Sequence, residues 1–120
     1  MNSEHSKYLV KTFPTLYQNY GGDMRETCMC WGFECGDGWF DLIKELSEKL
    51  EPLGIVAAQV KEKFGSLRFY TMGEPIEIAD KVDALIDKAE DKSLETCEVC
   101  GEPGELNDGG WLSVRCVTHR

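Results

Sequence analysis

The feature that most constrains this chain lies in its last quarter: Cys97-Glu98-Val99-Cys100-Gly101, then Cys116-Val117-Thr118-His119. Each pair leaves two residues between its ligand-type side chains, and fifteen residues separate Cys100 from Cys116. Two tight pairs joined by a loop of that length match the spacing of structural zinc sites. A two-residue gap lets both side chains of one turn converge on an ion, and the loop is long enough for a hairpin that returns the second turn to the first. Gly101 suits the position after such a turn, which often needs φ > 0. The pattern predicts one Zn2+ held by Cys97, Cys100, Cys116 and His119. Between the pairs, Leu106 and the run Trp111 to Val114 read as two short strands turned at Asn107-Asp108-Gly109-Gly110, giving a zinc ribbon or treble-clef-like module. Three thiolates and one imidazole close the tetrahedron, whereas a catalytic zinc keeps a position open for water. The expected contribution of the metal is therefore folding energy.

The competing reading of four such side chains is a disulfide pair. No apolar run follows Met1, so no export to an oxidising compartment is expected, and zinc is preferred. No stretch approaches the roughly 20 apolar residues that cross a bilayer. A soluble protein of the cytoplasm is the expectation.

The chain's 120 residues suit one small domain with an appended module, short of two independent cores. The boundary is expected at 1–93 and 94–120, with no Gly/Ser linker between them, so the module should pack on the domain. Charge is uneven. From Glu74 to Asp108 twelve carboxylates face three lysines, so this stretch holds the whole formal charge of −9, while the remainder balances ten acids with ten bases. Such a stretch repels a phosphate backbone and could meet a basic surface, including one that normally holds nucleic acid. The plain reading of the same charges is a solvated helix face.

Along the chain, a short helix is expected around Lys7 to Lys11, then a turn opened by Pro14 and stopped by Gly21-Gly22, with His5 at the surface. Cys28, Cys30 and Cys35 place three thiols within eight residues. A second zinc there lacks a fourth ligand, for which His5 or Asp37 could serve; the default is free cysteine packed as a small hydrophobe. On strand geometry Cys28 and Cys30 would share a face. Asp37 reads as the N-cap of an amphipathic helix carrying Trp39, Leu42, Ile43, Leu46 and Leu50. Residues Ile55 to Met72 read as a β-hairpin turned at Lys63-Phe64-Gly65-Ser66, with Leu67 and Phe69 on one face and Arg68 and Tyr70 on the other. Pro75 reads as the start of a helix with the apolar stripe Ile78, Val82, Leu85, Ile86 and Ala89, ending near Ser93. The whole is α+β: a helix, hairpin and helix domain with a C-terminal zinc module.

Three blocks of the sequence resemble a family of small, mostly hypothetical proteins of tailed bacteriophages and prophages. They are Gly32-Phe33-Glu34-Cys35-Gly36-Asp37-Gly38-Trp39-Phe40, Val60-Lys61-Glu62-Lys63-Phe64-Gly65-Ser66-Leu67-Arg68-Phe69-Tyr70, and Cys97 to Gly101 continuing through Gly110-Trp111 to Cys116 and His119. The resemblance implies a phage origin and action in the cytoplasm of a bacterial host. By analogy with other small acidic phage proteins, inhibition of host defence, as by anti-CRISPR proteins, is an expectation about the class.

No enzyme constellation is present in the sequence: no Gly-rich phosphate loop with Lys-Ser/Thr, no nucleophile elbow, and no His-x-Glu to accompany Cys-x-x-Cys. The leading expectation is a non-enzymatic binding protein. Asp80, Asp83, Asp87, Glu90 and Asp91 would occupy Lys/Arg sites of a basic host protein that otherwise grips nucleic acid. The alternative is direct nucleic-acid binding by the basic-aromatic hairpin residues Lys61, Lys63, Phe64, Arg68 and Tyr70.

Overall fold

The computed structural model describes residues 1–107 and 109–120; Asp108, which enters both the acidic stretch and the hairpin turn read above, lies outside the described residues. Three helices, α1 (Ser3–Thr12), α2 (Phe40–Leu50) and α3 (Ala79–Ser93), combine with a three-stranded sheet of β1 (Phe33–Glu34), β2 (Ala57–Lys63) and β3 (Ser66–Thr71). A second hairpin, β4 (Glu105–Asn107) and β5 (Ser113–Arg115), lies near the C-terminus. The protein is thus a small mixed α+β fold, as its periodicities imply. Central β2 pairs parallel with β1 and antiparallel with β3. No described helix is long and apolar enough to cross a membrane.

Helix α2 supplies the centre of the core. Its Leu42, Ile43, Leu46 and Leu50 are all buried, as is Trp39 just before it, while Asp41, Glu45, Glu48 and Lys49 are exposed. Against them pack Leu9 of α1, Leu16 and Tyr17 of the following turn, Val60, Leu67 and Phe69 of the sheet, and Val82 and Ile86 of α3. One polar pair sits inside. The Tyr17 hydroxyl lies 2.6 Å from Ser47 Oγ, which in turn donates to the Ile43 carbonyl at 2.7 Å. Ser47→Ala would strand the buried phenol, so a loss of about 1–3 kcal/mol is expected in urea denaturation. Tyr17→Phe, which removes the phenol itself, should cost less.

The β2–β3 turn is closed by two residues with positive φ, Phe64 at 54° and Gly65 at 86°, the arrangement that matches the twist of a two-residue hairpin. Leu67 and Phe69 point into the core and Tyr70 out of it, as alternation requires. β3 is an edge strand, and α3 covers its outward donors: Leu67 N–H donates to Ser93 Oγ at 2.9 Å and Phe69 N–H to Glu90 Oε2 at 3.0 Å. That removes an open edge that could pair with another chain.

Several local expectations are corrected. Cys28 to Trp31 form a 3-10 turn rather than a strand, so Cys28 and Cys30 do not share a strand face. Asp37 does not cap α2. It accepts from Asn2 N–H at 2.7 Å and lies 3.0 Å from His5 Nδ1, tying the start of α1 to the approach to α2. His5 is half-buried, stacked on Phe40 with ring centroids 4.0 Å apart, and is not a free surface residue. Pro75 opens a turn, closed by Ile78 N–H on its carbonyl, and α3 begins only at Ala79. β2 begins at Ala57 and β5 at Ser113, so Trp111 and Leu112 belong to the connection between β4 and β5.

Candidate metal centre

The two ligand turns are built by the backbone. In the first, Gly101 N–H bonds the Cys97 carbonyl at 2.9 Å and Cys97 N–H bonds the Glu102 carbonyl at 2.8 Å; Gly101, at φ +84°, allows the chain to close. In the second, Cys116 leads into a 3-10 turn over Val117–His119, with His119 N–H on the Cys116 carbonyl at 3.1 Å. Pairing of β4 with β5 and a bond from Glu98 N–H to the Val114 carbonyl at 3.1 Å bring the turns together.

The result is a cluster. One donor atom from each of Cys97, Cys100, Cys116 and His119 lies within 4.8 Å of the others, close enough for all four to hold one metal ion. Cys100 Sγ is 3.6 Å from Cys116 Sγ, and His119 Nδ1 is 3.1 Å from Cys116 Sγ and 3.8 Å from Cys97 Sγ. Ligands at about 2.3 Å on tetrahedral corners stand about 3.8 Å apart, so a small contraction or expansion of these separations satisfies the geometry. Among the described residues this is the one group of three or more His, Cys, Asp or Glu donors that converges.

The electrostatics suit a cation. Burial raises the Cys97 thiol, but the N–H groups of Cys116, Cys100 and Val99 outweigh it and bring the thiol to about 6. Burial likewise raises Cys116, and the hydrogen bond with His119 turns the balance downward. At Cys100 the Glu102 N–H lowers the thiol, while desolvation and the sulfurs of Cys116 and Cys97 raise it more. His119 is raised, chiefly by its bond to Cys116. Negative charge on sulfur is favoured at two corners and disfavoured at the third until a positive charge arrives.

The cluster is seated on the core by glycines. Gly38 N–H donates to the Glu98 carbonyl at 2.8 Å, Gly36 N–H to the Glu98 carboxylate at 2.8 Å, and the Trp39 indole to the Thr96 carbonyl at 2.9 Å. A Cβ on Gly38 would fall 2.1 Å from the Cys97 carbonyl oxygen, and one on Gly36 would fall 2.3 Å from that of Glu98. On the other side, a Cβ on Gly65 would fall 2.6 Å from Leu106. The three sequence blocks at 32–40, 60–70 and 97–119 therefore meet in space. Reading by periodicity misses this; the Gly36-x-Gly38 pair just before a helix was its one visible sign.

The remaining residues singled out by sequence fall into three places. Asp80, Asp83, Asp87 and Asp91 are exposed and, recurring every three or four residues, share one face of α3. Glu90 is corrected: it is half-buried and committed to Phe69 N–H, with burial raising its carboxyl. On the hairpin, Lys61 pairs across the strands with Arg68 and its Nζ stands 5.9 Å from the Tyr70 ring centroid, while Lys63 Nζ is 5.5 Å from that of Phe64. Of the other thiols, Cys28 is exposed, Cys30 half-buried and Cys35 buried, its thiol pushed up to about 12 by desolvation. No family model, curated protein or solved structure matches the chain, so what the site can do follows from its own geometry.

Proposed function

We propose that the chain is a zinc-stabilised interaction protein: one structural Zn2+ on Cys97, Cys100, Cys116 and His119 organises a C-terminal zinc-ribbon module, and the acidic face of α3 docks on a basic protein. The observation that carries the metal is the convergence of four donors, three of them cysteine sulfurs, on one point. A Cys3His set fits zinc and leaves no coordination position for a reacting water. The work proposed for the protein is therefore binding, not catalysis.

For the partner, support comes from the row Asp80, Asp83, Asp87 and Asp91, four exposed carboxylates on one helix face. Glu90 drops out of this surface. The resemblance to small phage and prophage proteins makes a host complex that handles nucleic acid the partner of choice, with inhibition of a defence system as the outcome. Carboxylates on its Lys/Arg sites would exclude the phosphates those sites normally hold.

Capture from a bacterial lysate tests the proposal. One stoichiometric partner is expected at low salt and should be released by a high-salt wash, because exposed charges are screened within about 8–10 Å at ordinary ionic strength. Asp83→Lys with Asp87→Lys should weaken capture by about tenfold or more. Binding that ignores both salt and charge reversal would sink the acidic-face reading while leaving the metal centre standing.

A further inference from the structure

The tip of the β2–β3 hairpin and the connection between β4 and β5 face each other across a cleft of about 430 Å³, lined by Glu62, Lys63, Phe64, Gly110, Trp111 and Leu112. Its volume lies in the range of about 300–1,000 Å³ usual for ligand sites. Two aromatic side chains dominate it, and neither is packed: Phe64 is 66% exposed and Trp111 is 86% exposed.

Phe64 is the informative one. Its φ of 54° is left-handed, a conformation for which hairpin turns favour Asn, Asp or Gly, and a β-carbon there is sterically strained. An aromatic at this position adds strain to the turn and, at 66% exposed, returns little burial. Strain at a site with little packing benefit is the kind of outlier from which function can be inferred. One wall of the cleft is where the hairpins touch: Gly65 abuts Leu106 and Ser113.

Charge selects the ligand. The hairpin carries Lys61, Lys63 and Arg68 against Glu62, whose carboxylate is engaged by Gly65 N–H at 2.8 Å; Lys63 lines the cleft itself, while Lys61 lies in register with Glu34 and Arg68 near Glu90. Lys63 stands at the Phe64 ring, and Lys61 pairs with Arg68 further along. Exposed aromatic faces beside a short line of cations match the chemistry of single-stranded nucleic acid, in which bases stack and phosphates run alongside. A peptide of apolar residues would use the aromatics and leave the cations idle.

We propose that this cleft binds single-stranded nucleic acid, stacking bases on Phe64 and Trp111, with Lys63, Lys61 and Arg68 meeting the phosphates. The site goes beyond the acidic-face reading and uses different side chains, so either can fail without the other. Trp111 comes from the metal-bearing segment, which makes the cleft dependent on that segment being folded.

The test is a fluorescence titration of the full, metal-loaded chain with a 12-nucleotide oligouridylate at low salt. Trp39 is buried and silent to ligand, and exposed Trp31 is replaced by Phe to isolate Trp111. Saturable quenching is expected, with a log–log salt slope near −2 for three phosphate contacts on a single strand. Phe64→Asn and Trp111→Ala should each weaken binding about tenfold or more. Phe64→Asn should fold at least as well as the parent, since Asn suits the turn, so its effect on binding cannot be ascribed to unfolding. Absence of a saturable signal, or equal affinity of Phe64→Asn, overturns the proposal. So does a concentration-dependent dimer abolished by Trp111→Ala, which would assign the cleft to a second copy of this chain.

Discussion

With zinc at the cluster as proposed, stripping it with a strong chelator, or replacing Cys97 by Ser, is expected to unfold residues 94–120 and to lower the melting midpoint of the whole chain. The segment has little else to hold it: Cys97, Val114 and Cys116 are its buried hydrophobic residues among those described, and two of the three belong to the donor cluster. Structural zinc contributes about 10–16 kcal/mol in isolated zinc-finger peptides near neutral pH, far more than one buried valine supplies. Loss of the cluster also releases Glu98 from Gly36 and Gly38, and the Thr96 carbonyl from the Trp39 indole. Near-ultraviolet circular dichroism from Trp39 should therefore change when the metal leaves, although no zinc ligand belongs to the core around it. The pH dependence follows from the protons displaced. Zinc needs three thiolates and a neutral imidazole; Cys100 and His119 hold their protons more firmly than usual, while Cys97 loses its own near 6. Acid returns all of them, Cys100 first and Cys97 last, so zinc affinity should fall steadily as pH drops and collapse below about 6, as read by a chromophoric chelator. A Cys28→Ser variant, at an exposed thiol outside the cluster, should keep both the melt and the metal. An unchanged melt after complete zinc removal would refute a structural role.

How much of this was legible from the chain depends on the range of the interaction. The convergence of Cys97, Cys100, Cys116 and His119 could be read because such a cluster is encoded in local spacing: two residues between donors fix a turn, and the turn fixes the direction of both side chains. Helix α2 was equally plain, since Leu42, Ile43, Leu46 and Leu50 repeat at the helical period and all are buried. What failed was set by contacts distant in sequence. Asp37 looks like a cap because capping residues precede apolar runs, yet Asn2 and His5, thirty-odd residues earlier, claim its carboxylate. Glu90 looks like one more surface acid because it follows the charged pattern of α3, yet an unpaired strand N–H turns it inward. Strand β1 spans two residues, too few for any period to register. Trp111 reads as a strand residue in a short apolar run, and only the fold places it opposite Phe64.

The second large effect concerns a residue with no side chain. Gly38→Ala is expected to cost more than about 3 kcal/mol and to weaken zinc binding by at least about tenfold, although Gly38 touches no metal. Gly38 does not adopt positive φ, so alanine meets no backbone penalty, and the whole effect must come from space. That space is occupied by main chain: the added methyl would sit 2.1 Å from the Cys97 carbonyl oxygen and 2.6 Å from the Glu98 carbonyl carbon. A flexible side chain could swing aside. A peptide unit between a buried cysteine and a salt-bridged glutamate cannot, because moving it drags Cys97 Sγ away from the other three donors of the cluster. Gly54→Ala is the matched control, with φ +74° and nothing within 4 Å, so its cost is purely conformational, about 1–2 kcal/mol, with zinc affinity unchanged. Chemical denaturation and chelator competition on both variants separate the two causes. If Gly38→Ala stays within about 1 kcal/mol of the parent and keeps its zinc, the close approach of the two segments is wrong, and with it the coupling of core to metal. If stability and zinc affinity fall together at Gly38 and apart at Gly54, the glycine pair beside Asp37 is there to let the metal-bearing turn sit directly on the backbone leading into α2.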